Sequence, residues 1–201
     1  GLRKQAKRWL KALRAGDAAA IARLHQWLPR ASAQPGLREV QQALALEQGF
    51  EGWAALKERT ELDDLALARE ALVNEFLERG CLSYGRDDFP SKWRRAERIL
   101  ARFPDVATAN LFTAALAGNV DHVQRLLSTG AATAHANEPG GPQGWPPLLF
   151  LCYGRVTTPN GAENAVTIAK LLLDAGAGPG ADTEEASPSV EAVLAAWSRS
   201  Q

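Results

Sequence analysis

Three histidines, two cysteines and three pairs of adjacent acids are the side chains whose types best suit catalysis or metal binding. His25, His122 and His135 stand apart, with no His-x-x-x-His or Cys-x-x-Cys spacing that would gather zinc ligands, and His25 and His122, on expected helices, read as surface or interhelical positions. Cys81 and Cys152 fit no metal or redox spacing, and two thiols in 201 residues are too few for a disulfide scaffold. The pairs Asp63-Asp64, Asp87-Asp88 and Glu184-Glu185 point their carboxylates apart and read as solvated surface, whereas general acid-base work needs both groups in one sheltered cleft. Gly140-Gly141-Pro142-Gln143-Gly144 is glycine-rich but lacks the Lys-Ser/Thr that completes a phosphate cradle, so it reads as a tight turn. No nucleophile elbow of the Gly-x-Ser-x-Gly kind occurs. The expectation is therefore no catalytic residue, no metal site and no cofactor.

A stronger signal lies at the start of the chain. Leu2, Ala6, Trp9, Leu10 and Leu13 recur at helical spacing, and Arg3, Lys4, Lys7, Arg8, Lys11 and Arg14 fill much of the rest. Clustered cations of this kind can hold phosphates, and a helix that merely docks by its apolar face looks the same. Residues 1–40 carry nine basic and two acidic side chains, net +7, against 14 basic and 21 acidic in the remainder, net −7. That split either draws the two parts together or serves an external anionic partner. Packing is the preferred reading. A nucleic-acid or other anion-binding role for Lys4, Lys7, Arg8, Lys11 and Arg14 is the alternative.

These residues must be positioned by helices, and the helices repeat. Val120 to Ala131 and Val166 to Ala177 lie 46 residues apart, and both end in Leu-Leu-x-x-Gly-Ala, with apolar residues at helical spacing before a glycine suited to a helix C-terminus. Leu126 and Leu172 fall at equivalent positions, and both are expected in the core. Leu13 to Leu24 echoes Ala115 to Leu126, Gly16-Asp17 matching Gly118-Asn119: the glycine ends one helix and the short polar residue caps the next. Asn110 to Ala115 and Pro147 to Cys152 supply the first helix of each pair at a 37-residue offset. The nine additional residues of the second unit fall in Tyr153 to Asn164, which reads as a loop.

Gly144-Trp145-Pro146-Pro147-Leu148-Leu149-Phe150-Leu151-Cys152 resembles the Gly-x-Thr-Pro-Leu-His-x-Ala-Ala opening of ankyrin repeats, with Pro146 in place of threonine and Leu149 in place of histidine. Together with the Leu-Leu-x-x-Gly-Ala close, the resemblance covers about residues 108–181. Residues 66–107 look like a degenerate preceding repeat, with helices over 66–79 and 91–103 joined by an atypical connection, Gly80 to Pro90. The first 60 residues, with Gly49-Phe50-Glu51-Gly52-Trp53, resemble the helical segment ahead of such repeats in bacterial ankyrin-type proteins. The resemblance implies an all-α fold: a short α-solenoid of ankyrin-type helix-turn-helix repeats (residues 63–201) preceded by a small helical N-terminal region (residues 1–62). It also implies a protein-binding module whose partner meets the finger turns and the ends of the first helices. Carried onto this chain, those positions are Pro142, Gln143, Trp145, Tyr153 and Gly154, with Thr108, Leu116 and Ala117 in the repeat before. Trp145 and Tyr153 matter most, as aromatic anchors.

Beyond 181, Ser187-Pro188 reads as a helix start, and Val190, Val193, Leu194 and Trp197 as the stripe of a capping helix. With 46% hydrophobic and 23% charged residues the composition is that of a globular protein and excludes a disordered or fibrous chain. No apolar run approaches the roughly 20 residues needed to cross a bilayer, so a cytoplasmic protein with no membrane partner is expected.

Overall fold

The computed structural model describes residues 1–66, 68–129, 136–178 and 188–199. Gly130, Ala131, His135, Glu184, Glu185, Ser187 and the side chain of Trp197 lie outside the described residues. Within them the chain is helical, with eleven α-helices, one short 3-10 turn and no strand, as the periodicity predicts. It divides into two compact units, Gly1–Leu67 and Ala68–Gln201. The boundary falls a few residues past the expected 62/63 because the helix there continues to Ala66.

The first unit holds α1 (Leu2–Arg14), α2 (Ala18–Trp27), α3 (Leu37–Glu47) and α4 (Trp53–Ala66). The apolar stripe of α1 is buried at Ala6, Trp9, Leu10 and Leu13, against Ala20 and Leu24 of α2 and Val40, Ala43 and Leu44 of α3. Each fully covered leucine or valine contributes roughly 1.5–3 kcal/mol. Trp9 brings a polar atom into this core, and its indole N–H donates to the Ala20 carbonyl at 3.1 Å. Glu39 fastens the start of α3 by accepting from Gly36 N at 2.9 Å and from Ser32 N and Oγ at 2.8 Å each. These bonds, led by the one from Ser32 N, hold its carboxyl below the ordinary range.

In the second unit α5 (Arg69–Gly80) packs on α6 (Pro90–Arg102), and a 3-10 turn (Pro104–Thr108) leads to α7 (Leu111–Leu116) and α8 (Val120–Ser128). Then come α9 (Pro147–Cys152), α10 (Gly161–Asp174) and α11 (Pro188–Ser198). The two hairpins lie one on the other, α7 on α9 and α8 on α10, and α11 covers α10 with Val190 and Leu194 in the shared core. The loop is shorter than the expected Tyr153 to Asn164, since α10 begins at Gly161 and residues 153–160 remain irregular.

The internal echo extends to single hydrogen bonds. Gly16 and Gly118 have φ of +75° and +68°, a region that favours glycine. The next residue's N–H then closes the helix end, Asp17 on Ala12 O at 3.2 Å and Asn119 on Ala114 O at 2.9 Å. Asp17 Oδ1 caps α2 through Ala19 N and Ala20 N, and Asn119 Oδ1 caps α8 through His122 N. Both expected caps are present. The expected equivalence of Leu126 and Leu172 is not: Leu172 is 0% exposed, whereas Leu126 is only partly covered. Helix α10 packs against α8, α9 and α11, whereas α8 packs chiefly against α7 and α10.

Candidate interaction surface

The site grows out of the Gly80 to Pro90 connection, whose sequence is polar and tightly turned. Asp88 organises it. Its carboxylate accepts from Ser83 N at 3.0 Å, Ser83 Oγ at 3.2 Å, Gly85 N at 2.9 Å and Lys92 Nζ at 2.6 Å. Lys92, one turn into α6, is buried and also donates to Ser83 Oγ at 2.8 Å. Burial pushes the Asp88 carboxyl upward, but the Lys92 ammonium and the two backbone N–H groups outweigh it and hold the group below the ordinary aspartate range. Reading Asp87-Asp88 as solvated surface is thus corrected for Asp88, because a carboxylate with four donors is at home under cover. Asp87 stays exposed, paired with Arg79 at 3.2 Å. The Ser83 hydroxyl is thus held inside the clamp, donating to Asp88 Oδ1 and accepting from Lys92 Nζ.

The clamped loop sets Tyr84 at φ +54° with the residue 69% exposed. That ring meets Tyr153 edge-on at 6.3 Å, Tyr153 meets Trp145 at 4.9 Å, and Trp145 meets Phe150 at 5.7 Å. Phe150 is fully buried against Phe112 at 5.5 Å. The result is a continuous file of rings from the core of the second unit to its surface, at separations typical of aromatic pairs. Two backbone ties hold the file in register. Gly140 and Trp145 exchange N–H···O bonds of 3.0 Å across the glycine-rich turn, and Leu82 N donates to Tyr153 O at 2.9 Å while Arg155 N donates to Gly80 O at 2.8 Å. A side chain at Gly140 would strike the Phe112 ring at 2.4 Å, so the turn requires glycine there.

Of the residues expected to meet a partner, Trp145 and Tyr153 fall in this file, both partly exposed. Gln143 does not face outward: its Nε2 donates to Leu77 O at 3.1 Å and its Oε1 is buried, so it braces the turn against α5. Leu116 is a correction. It is 6% exposed and fills the space over Gly80 and Gly154, where any Cβ would collide with it. Ala117 is buried with it, and Gly154 is half-buried beneath it. Thr108 is exposed but ends the 3-10 turn with its hydroxyl on Asp105 O at 2.9 Å, apart from the rings. Pro142 is exposed in the turn. Sequence reasoning missed Tyr84, Asp88 and Lys92. The available signal was the four-residue spacing of Asp88 and Lys92 across a helix start, next to Ser83 and Gly85.

In the first unit Lys4, Lys7, Arg8, Lys11 and Arg14 are all exposed. Among the described residues, Arg23 is the one of the nine basic side chains in residues 1–40 that is ion-paired, with Glu47, and its guanidinium lies 3.9 Å over the Trp9 ring. Gln5, Arg8, Trp9, Arg23, Leu44 and Gln48 line a cleft of about 330 Å³ beside it. His25 is exposed, and His122 Nδ1 is buried with no hydrogen-bond partner. Cys81 and Cys152 are both buried, and burial pushes each thiol up to about 12. Among the described residues no three His, Cys, Asp or Glu side chains converge as metal ligands, and no helix is long and apolar enough to cross a membrane. Comparison of the chain with known families, with curated proteins and with solved structures finds no match.

Proposed function

We propose that the second unit is a protein-binding module of ankyrin type, which seats a polypeptide on the surface formed by Tyr84, Trp145 and Tyr153. The observation that carries this reading is the file of rings running from buried Phe150 to exposed Tyr84. Amphipathic rings fixed by packing lose little conformational entropy on binding, which is why tyrosine and tryptophan dominate interface energetics. Further support comes from the Asp88 clamp, which holds the Tyr84 loop in place before any partner arrives. The stacked hairpins and the finger turn closed between Gly140 and Trp145 support the repeat assignment.

The test is a photoreactive residue placed in turn at positions 84, 153 and 170 of the full chain in lysate. The same polypeptide should cross-link from 84 and 153 but not from 170, an exposed position on α10. Purified, that polypeptide should lose binding to the Tyr84→Ala/Tyr153→Ala protein at unchanged helicity. Absence of a cross-linked polypeptide common to 84 and 153 would reject the assignment.

A further inference from the structure

From the basic face of α1 we infer a second binding site, on the first unit, for the phosphate backbone of a nucleic acid. At 100° per residue the six cations of α1 fall within an arc of about 140°, beside the buried arc of Ala6, Trp9, Leu10 and Leu13. All six are exposed, none makes an ion pair among the described residues, and α1 contains no acid. The neighbouring carboxylates are already committed: Asp17 caps α2, Glu39 holds Ser32 and Gly36, Glu47 pairs with Arg23, and Glu61 pairs with Lys57. Among the described residues, no carboxylate pairs with a cation of this face. An electrostatic benefit is left open for an external anion.

Two further features select the kind of anion. The stripe from Arg3 to Arg14 is about 16 Å long, enough to meet about three phosphates along one strand of a duplex. The apolar side of α1 is spent on the core of its own unit, so the helix has no hydrophobic face to bury among acyl chains, which interfacial helices need. A hydrated polyanion asks only for clustered cations and solvent-filled contacts. The contacts reach backbone and not bases, so binding is insensitive to sequence. This site is independent of the aromatic surface, since each lies in a different unit.

The experiment is fluorescence anisotropy of a labelled DNA duplex of arbitrary sequence titrated with the full chain, from about 50 to about 200 mM salt. The expected Kd at physiological salt is about 10⁻⁶–10⁻⁴ M, weakening steeply as salt rises. Reversing Lys4, Lys7 and Lys11 to glutamate should weaken binding by about tenfold or more and flatten the log–log salt slope by about 2.7, one phosphate contact for each lysine. The milder Lys4→Gln/Lys7→Gln/Lys11→Gln protein should lose binding in the same direction at an unchanged melting temperature, which separates contact loss from misfolding. Reversing exposed Arg94, Arg125 and Lys170 instead changes the net charge equally and should leave most of the binding. The inference is overturned by an unmodified chain that ignores the duplex at low salt, or by a control reversal as damaging as the α1 reversal. Capture of phosphatidylserine vesicles with no binding of duplex overturns it as well, assigning the face to membranes.

Discussion

The start of α1 and the segment from Ser83 to Arg95 are both rich in charge, yet they use it in opposite ways. Around α6 most of the charges are tied together, with Arg94 left exposed. Lys92 is buried on Asp88, Arg95 and Arg79 share Glu75, and Arg79 also reaches Asp87. On α1 six cations stand exposed with no ion-pair partner among the described residues. Solvent is the reason for the difference: an exposed ammonium is stabilised by water and tolerates having no carboxylate, whereas a buried one must be paired. A network that orders a loop and a face left open for a ligand therefore look alike in composition and are distinguished by burial.

The sharpest way to break this comparison is Asp88→Ala. It leaves Lys92 buried without its counter-charge and should cost about 3–5 kcal/mol in urea unfolding, while Tyr84 loses its ordered loop. A loss below about 0.5 kcal/mol would mean that the clamp is surface decoration. Next in size, Leu172→Ala should cost about 2–5 kcal/mol and Leu126→Ala markedly less, because of the two only Leu172 is fully buried. Equal costs would show that α8 is covered as completely as α10.

Acid sharpens the contrast further. The folded-state pKa of Asp88 lies below its unfolded value of about 3.9, so its contribution is fully present above that value and disappears as pH falls through the folded pKa. The stability difference between the unmodified protein and Asp88→Asn should accordingly be flat from about pH 5 to 8 and shrink below about pH 4. A difference that persisted at pH 2 would assign the effect to shape instead of charge. The caps come next: Asp17→Ala and Asn119→Ala should each cost about 1 kcal/mol, read from urea midpoints. Smallest of all, the Lys4→Gln/Lys7→Gln/Lys11→Gln change should stay within about 0.5 kcal/mol in urea unfolding, as expected for cations that touch nothing.

The internal repeat was the most legible part of the fold. Gly16-Asp17 and Gly118-Asn119 disclosed two turns of the same construction, down to the carbonyl each turn closes on. The capping stripe of Val190, Val193 and Leu194 was equally readable, since apolar spacing reports directly which side of a helix must be covered. The surface was only half legible. Trp145 and Tyr153 stood out by residue type, but Leu116, from the same first-helix register, proved to be filling, and Gln143 turned inward to Leu77. Tyr84 carried no pattern of its own.

What the sequence determined by itself is the local part of the protein: where helices begin, which glycines end them, which face of each is apolar, and that α1 gathers six cations on one side. Those features depend on residues within about four positions of one another, and the chain fixes them directly. The tertiary structure decided which of two like leucines is enclosed, which aspartate is drawn into a clamp with a buried lysine, and which rings meet to carry the core out to Tyr84. Each of those outcomes depends on what arrives from a distant part of the chain, as Lys92 and the Tyr153 turn come to the loop at Ser83. Burial is a property of such meetings, and no single segment contains it.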